Sequence, residues 1–194
     1  MELDDLTFIE LARKNKDRAF SLLVDSYSQK IFSTCVNLVR NQEDAEDVTQ
    51  EVFTAIYLNL DKFKGDSKLS TWIYAVALNK SKEFLRKKTR KKRFGIFTTI
   101  EKEDSHTLPD NIINFDHPGV QLENKERATI FYKALDQLAE NQKNAFILHK
   151  IEGVSYAEIA DILETSIPSV ESLMFRAKKK LKVILNDYYE NNQL

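Results

Sequence analysis

Apolar residues recur three and four positions apart along almost the whole chain, the spacing that gathers them on one face of a helix. Residues that would break such faces are few. Gly65, Gly95, Gly119 and Gly153 are the only glycines and Pro109, Pro118 and Pro168 the only prolines, and nearly all fall between the periodic stretches. No alternation of Val, Ile or Thr is long enough to argue for a sheet, so an all-α protein is expected.

The 194 residues, 42% of them hydrophobic, suffice for one core or two small ones. Punctuation favours two. Helical periodicity runs to Arg93 and fails from Phe94 to Leu122, where Pro109 and Pro118 accompany Glu101, Glu103, Asp104, Asp110 and Asp116. It resumes at Glu123. Two small helical domains are therefore expected at 1–93 and 123–190, joined by a flexible linker at 94–122 that is too long for an ordinary loop.

Four helices are expected in the first domain. The first covers Asp4 to Lys14 with Leu3, Leu6 and Ile9 inward. Asp17 caps the second, whose stripe of Ala19, Phe20, Leu23, Val24, Tyr27, Ile31, Cys35 and Leu38 ends near Arg40. A third runs from Glu43 to Leu60, its first-turn carboxylates complementing the positive end of the helix dipole. Val48, Val52, Ala55, Ile56 and Leu60 form its core side, and Glu43, Asp47, Gln50, Glu51 and Thr54 its polar outer side. A loop from Asp61 to Ser70, carrying Phe63 and Gly65, leads to the fourth, which starts at Ser70 or Thr71.

That fourth helix has two faces. Trp72, Ala75, Asn79, Lys82 and Arg86 fall within a stripe about 80° wide, while Ile73, Val76, Ala77 and Phe84 make a separate apolar side. Cations then accumulate at Lys87, Lys88, Arg90, Lys91, Lys92 and Arg93. An indole stacks on an unpaired base, an amide bonds a base edge and cations neutralise phosphates, so this order suits a nucleic acid whose bases have been exposed. A core helix with a solvated basic end is the plainer reading of the stretch alone.

In the second domain, helices are expected from Glu123 to Gln137 and from Gln142 to Lys150. Ser155-Tyr156-Ala157-Glu158 fits a capping box opening a short helix with Ile159, Ala160, Ile162 and Leu163. After a turn at Glu164-Thr165-Ser166, another helix runs from Ile167 through Leu185, tolerating Pro168 in its first turn. Val170, Met174, Ala177 and Leu181 form its buried stripe; Ser169, Ser172, Leu173, Arg176, Lys179 and Lys180 face the other way. This is helix-turn-helix geometry, in which the second helix enters a major groove.

The formal net charge of −1 conceals segregation. From Asn41 to Asp61 there are six acids and no Lys or Arg; from Lys80 to Arg93 there are nine bases and one acid, Glu83. Patches of opposite sign imply more than one kind of partner, and the acids would repel the phosphates that the bases attract. Unaided DNA binding is therefore expected to be weak. No apolar run approaches the ~20 residues that span a bilayer, and the acidic start lacks the apolar core of a signal peptide, so a cytoplasmic protein without membrane contact is expected. Cys35 reads as a buried small hydrophobe. The scattered His106, His117 and His149 suggest no zinc site, and no metal or cofactor is expected.

These residues together resemble the extracytoplasmic-function branch of the bacterial sigma-70 family, the promoter-recognition subunits of RNA polymerase, over nearly the whole chain. The resemblance is carried by DRAFSLLVDSY, EDAEDVTQEVF, FKGDSKLSTWIYAVALNKSKEFLRKK, LDQLAENQKNAFILHKIEGVSYAEIADIL and SVESLMFRAKKKL. It implies a non-catalytic subunit that binds core RNA polymerase through the beta-prime and beta subunits and contacts promoter DNA both double-stranded and melted. In the family, inhibitory anti-sigma proteins often clasp both domains. Asp47, Gln50 and Glu51 would dock on the beta-prime coiled coil. Phe63, Trp72 and Asn79 would form or border the pocket for a flipped minus-ten base, with Lys80, Lys82, Arg86, Lys87 and Lys88 on nearby phosphates. Ser169, Glu171, Ser172, Leu173, Arg176, Lys179 and Lys180 would serve the minus-thirty-five element from a winged-helix-like four-helix domain. Glu171 and Leu173 stand where related recognition helices are usually basic, and Ala139 where a proline is usual. The alternative is an autonomous helix-turn-helix regulator. A metal-dependent nuclease built on Glu43, Asp44, Asp47 and Glu51 lacks a grouped base or nucleophile.

Overall fold

The computed structural model describes residues 5–94 and 118–192, and every regular element among them is helical. Leu3 and residues 95–117, most of the expected linker, lie outside the described residues. The chain forms two compact units, dividing after His106.

The first unit contains α1 (Asp5–Lys14), α2 (Lys16–Val39), α3 (Gln42–Asn59), a 3-10 turn (Leu60–Lys62) and α4 (Leu69–Phe94). Phe8, Ile9 and Ala12 of α1, Leu23, Ile31 and Cys35 of α2, Val48, Val52 and Ile56 of α3, and Leu69, Ile73 and Ala77 of α4 share one core. Leu6, expected inward, is 73% exposed. It lies about 120° from the middle of the stripe formed by Phe8, Ile9 and Ala12, so those three leave it no room inside.

Helix α2 starts at Lys16 because Asn15, and not Asp17, caps it: the Asn15 side chain accepts from the Arg18 N–H at 3.0 Å. Asp17 instead accepts from the Tyr57 hydroxyl at 2.8 Å, a bond that holds the phenol above its ordinary pKa and ties α2 to the end of α3. Arg40 closes α2 in the left-handed conformation, φ 65°, its N–H donating to Val36 O. Asn41 then caps α3 by accepting from the Asp44 N–H at 2.9 Å.

The second unit contains α5 (Pro118–Asp136), α6 (Glu140–Lys150), α7 (Tyr156–Ile162) and α8 (Ile167–Asn192). Helix α5 begins earlier than Glu123 because Pro118 can occupy a first helical position, where a missing N–H costs nothing. Ala139 offers no side-chain cap to α6, which nonetheless starts beside it. Leu135, Ile147, Leu148, Ile159, Val170, Met174, Ala177 and Leu181 are buried at 4% exposure or less. Helix α8 runs past Leu185 to Asn192. No strand occurs among the described residues, so the four helices carry no described wing.

Candidate functional site

The outer face of α3 is acidic and open. Ala45, Val48, Val52 and Ile56 turn inward, which leaves Glu43, Asp47, Gln50, Glu51 and Thr54 exposed. Asp47, Gln50, Glu51 and Thr54 line a shallow groove that Ala55, Leu58, Lys80 and Phe84 complete. Leu58, at 62% exposure, is an apolar member of this surface that the charge pattern concealed. Asp44 and Asp61 face other partners: Asp44 Oδ2 accepts from Lys88 Nζ at 2.8 Å and Asp61 Oδ1 from Lys16 Nζ at 3.3 Å. A hydrogen bond from its own backbone, followed by Lys16, holds the Asp61 carboxyl below its ordinary pKa.

On α4, Ile73, Tyr74, Ala77, Leu78 and Ser81 are buried, while Val76 and Phe84 are only half-buried. Trp72 does not stand free: it is half-buried against Phe63, ring centroids 5.3 Å apart and planes at 31°. Phe63 is itself 8% exposed, so it forms a floor beneath the indole. Asn79 and Arg86 are exposed further along the stripe, with Lys82 half-buried, and Lys87, Arg90 and Lys91 are exposed beyond.

Lys80 and Lys88, both expected on phosphates, have acidic neighbours. Lys80 pairs with Glu83 at 3.0 Å and borders the acidic groove, and Lys88 reaches Asp44. Their helical positions account for this. Lys80 lies about 80° round from Trp72, and Lys88 about 160°, on the side of Ala77 and Phe84.

In the second unit the expected capping box is complete: Ser155 Oγ accepts from the Glu158 N–H at 3.3 Å and Glu158 Oε2 from the Ser155 N–H at 3.1 Å. Glu164, at φ 51°, makes the turn. Ser166 Oγ accepts from the Ser169 N–H and bonds Ser169 Oγ at 2.9 Å, so Ser169 is occupied at the helix start. Glu171, Ser172, Arg176 and Lys179 are exposed and Leu173 is half-buried. Lys180 Nζ donates to Gln137 O at the end of α5. Phe175, absent from the expected set, is 68% exposed and lies in a shallow depression with Pro168, Glu171, Ser172 and Arg176. It stands about 140° from buried Val170, a signal legible in the helical projection.

An exposed acidic face, an aromatic pair beside an amide and cations, and a separate helix-turn-helix are surfaces for binding. Among the described residues no group of three or more His, Cys, Asp or Glu is placed to hold a metal ion, and no helix is long and apolar enough to cross a membrane.

Comparison with known proteins bears on both units. Sigma-70 region 2 matches residues 23–91 and Sigma-70, region 4, matches residues 128–181. The chain is 31% identical over 184 residues to the RNA polymerase sigma-H factor of Pseudomonas aeruginosa, covering 91% of each protein. It is 31% identical over 180 residues to the ECF RNA polymerase sigma-E factor of Escherichia coli strain K12, covering 93% of each. Among solved structures, CnrH in complex with the cytosolic domain of CnrY is similar in fold, with a TM-score of 0.68, 23% identity, and coverage of 94% of this chain and 97% of that one. The sigma factor RpoE of Bartonella quintana, in complex with the anti-sigma factor NepR, has a TM-score of 0.66 at 24% identity, covering 86% of this chain and 96% of that one. A match across both units sets aside the autonomous regulator. The chain belongs to the sigma-70 family, among its extracytoplasmic-function RNA polymerase sigma factors.

Proposed function

We propose that residues 1–93 dock on core polymerase and open the minus-ten segment, while residues 123–190 hold the minus-thirty-five duplex. Asp47, Gln50 and Glu51 meet a basic face of the polymerase by charge complementarity. Trp72 stacks on a flipped base above Phe63, and Asn79 bonds a base edge. Lys82, Arg86 and Lys87 hold phosphates. Flipping costs a few kcal/mol, and stacking returns roughly 1–3 kcal/mol per base. In the major groove Glu171 accepts from a cytosine amino group, and Ser172, Phe175 and Arg176 accompany it. The protein works in the cytoplasm, with its polymerase. The neighbour solved with the anti-sigma factor NepR supports an anti-sigma partner for this chain as well.

One observation carries this reading. Lys80 and Phe84 of α4 border the acidic groove of α3, whereas Trp72, Asn79 and Arg86 lie at least about 80° round the helix from Lys80. The first unit can therefore meet polymerase on one flank and DNA on an adjacent one at the same time.

Reconstituted transcription from genomic fragments with core polymerase tests it. Discrete start sites preceded by two shared sequence elements at constant spacing are expected. Failure to bind core, with no RNA started in the protein's presence, would overturn the reading. Trp72→Ala should bind core normally yet lower the permanganate reactivity of unpaired thymines; undiminished opening would remove the stacking role.

A further inference from the structure

Two contacts tie α1 to the loop carrying Phe63 and to the start of α4, outside the docking and DNA surfaces. Asp5 opens α1, and its Oδ2 accepts from the Leu69 N–H at 3.3 Å, across 64 residues of sequence. Leu69 is the first residue of α4, so its N–H has no partner within the helix, and a carboxylate there also meets the positive end of the dipole. One turn along α1, Ile9 backs the loop. A Cβ built on Gly65, which has φ +82°, would come within 2.9 Å of Ile9 Cδ1, so the loop backbone lies directly on that side chain. Asp5 falls on the same side of α1 as buried Phe8, Ile9 and Ala12. Trp72 follows Leu69 by three residues, on the first turn of α4, and its ring sits 5.3 Å from Phe63. The orientation of that turn therefore decides where the indole lies over its floor.

We infer that Asp5 is a positioning residue for strand opening: its carboxylate fixes the first turn of α4, and hence the Trp72 indole over Phe63, while Ile9 supports the loop at Gly65. This rests on the reading of Trp72 as the base-stacking ring. Helix α1 is then a strut behind the opening loop, acting without touching DNA.

The test compares full-length Asp5→Ala, Asp5→Asn and Trp72→Ala with the unaltered protein, each with core polymerase on a promoter mapped by transcription. Trp72 is the only tryptophan, so acrylamide quenching of fluorescence in the free protein reads its surroundings directly. Asp5→Ala should increase quenching and reduce thymine reactivity about fivefold, the equivalent of a lost cap of ~1 kcal/mol, with core affinity unchanged. Asp5→Asn keeps an accepting oxygen and should restore most of the opening. Undiminished opening in Asp5→Ala overturns the inference. So does a parallel loss of core affinity, which would mean general unfolding. If Trp72→Ala opens the promoter normally, the stacking reading falls and takes the inference with it; if only Asp5→Ala opens normally, the stacking reading survives alone.

Discussion

Lys87 and Lys88 are neighbours in sequence, but a helix turns them about 100° apart. Lys87 is exposed, whereas Lys88 crosses to Asp44 at 2.8 Å, with side-chain exposures of 34% and 22% for the two partners. The two should therefore behave differently when removed. Lys87→Ala should reduce the slope of log affinity against log salt by roughly 0.9, one phosphate's worth, in holoenzyme binding to promoter DNA. Lys88→Ala should leave that slope alone and lower the thermal midpoint, because a partly exposed pair contributes at most ~1 kcal/mol to holding α3 against α4. Equal flattening by both would mean that Lys88 leaves Asp44 to bind DNA.

Helix α7 has seven residues, too short to persist without its ends being satisfied. Ser155→Ala removes one arm of the capping box and should cost ~1 kcal/mol, read as a lower midpoint for the second unit. No shift in that midpoint would show that tertiary packing alone fixes α7. The box could be read in the sequence because both partners lie three residues apart. So could the buried stripe of α8 and most of that of α3, each a property of one helix, although Ala55, expected inward, is half-buried and borders the acidic groove. What could not be read depends on where two elements meet. Asn15 and Asp17 are both capable caps, and the choice follows from where α1 stops. The stacking of Phe63 on Trp72 is set by how the intervening loop folds back. The reach of Lys180 to Gln137 spans 43 residues, and that of Asp5 to Leu69 spans 64. Helical spacing contains none of these distances, so it named the outward residues well and their neighbours poorly.

At the scale of the whole molecule, a net charge of −1 means that free protein and DNA have almost no overall attraction, while local patches attract and repel strongly. Asp47 and Glu51 on α3 lie in the same groove as Lys80, one flank away from the stripe that is to hold phosphates. Within a Debye length of about 8 Å at physiological salt, such acids weaken the grip of nearby cations on DNA. Polymerase seated on them would remove that opposition at the moment when DNA is to be bound. The two partners thus pull on the acids in opposite directions. Asp47→Asn with Glu51→Gln should raise the affinity of the free protein for promoter DNA and lower its affinity for core polymerase. Titrations of the doubly neutralised protein against labelled duplex and against core enzyme check both signs. A fall in both affinities would mean that the acids maintain the fold of α3, and a rise in DNA affinity with core binding intact would move the docking surface elsewhere.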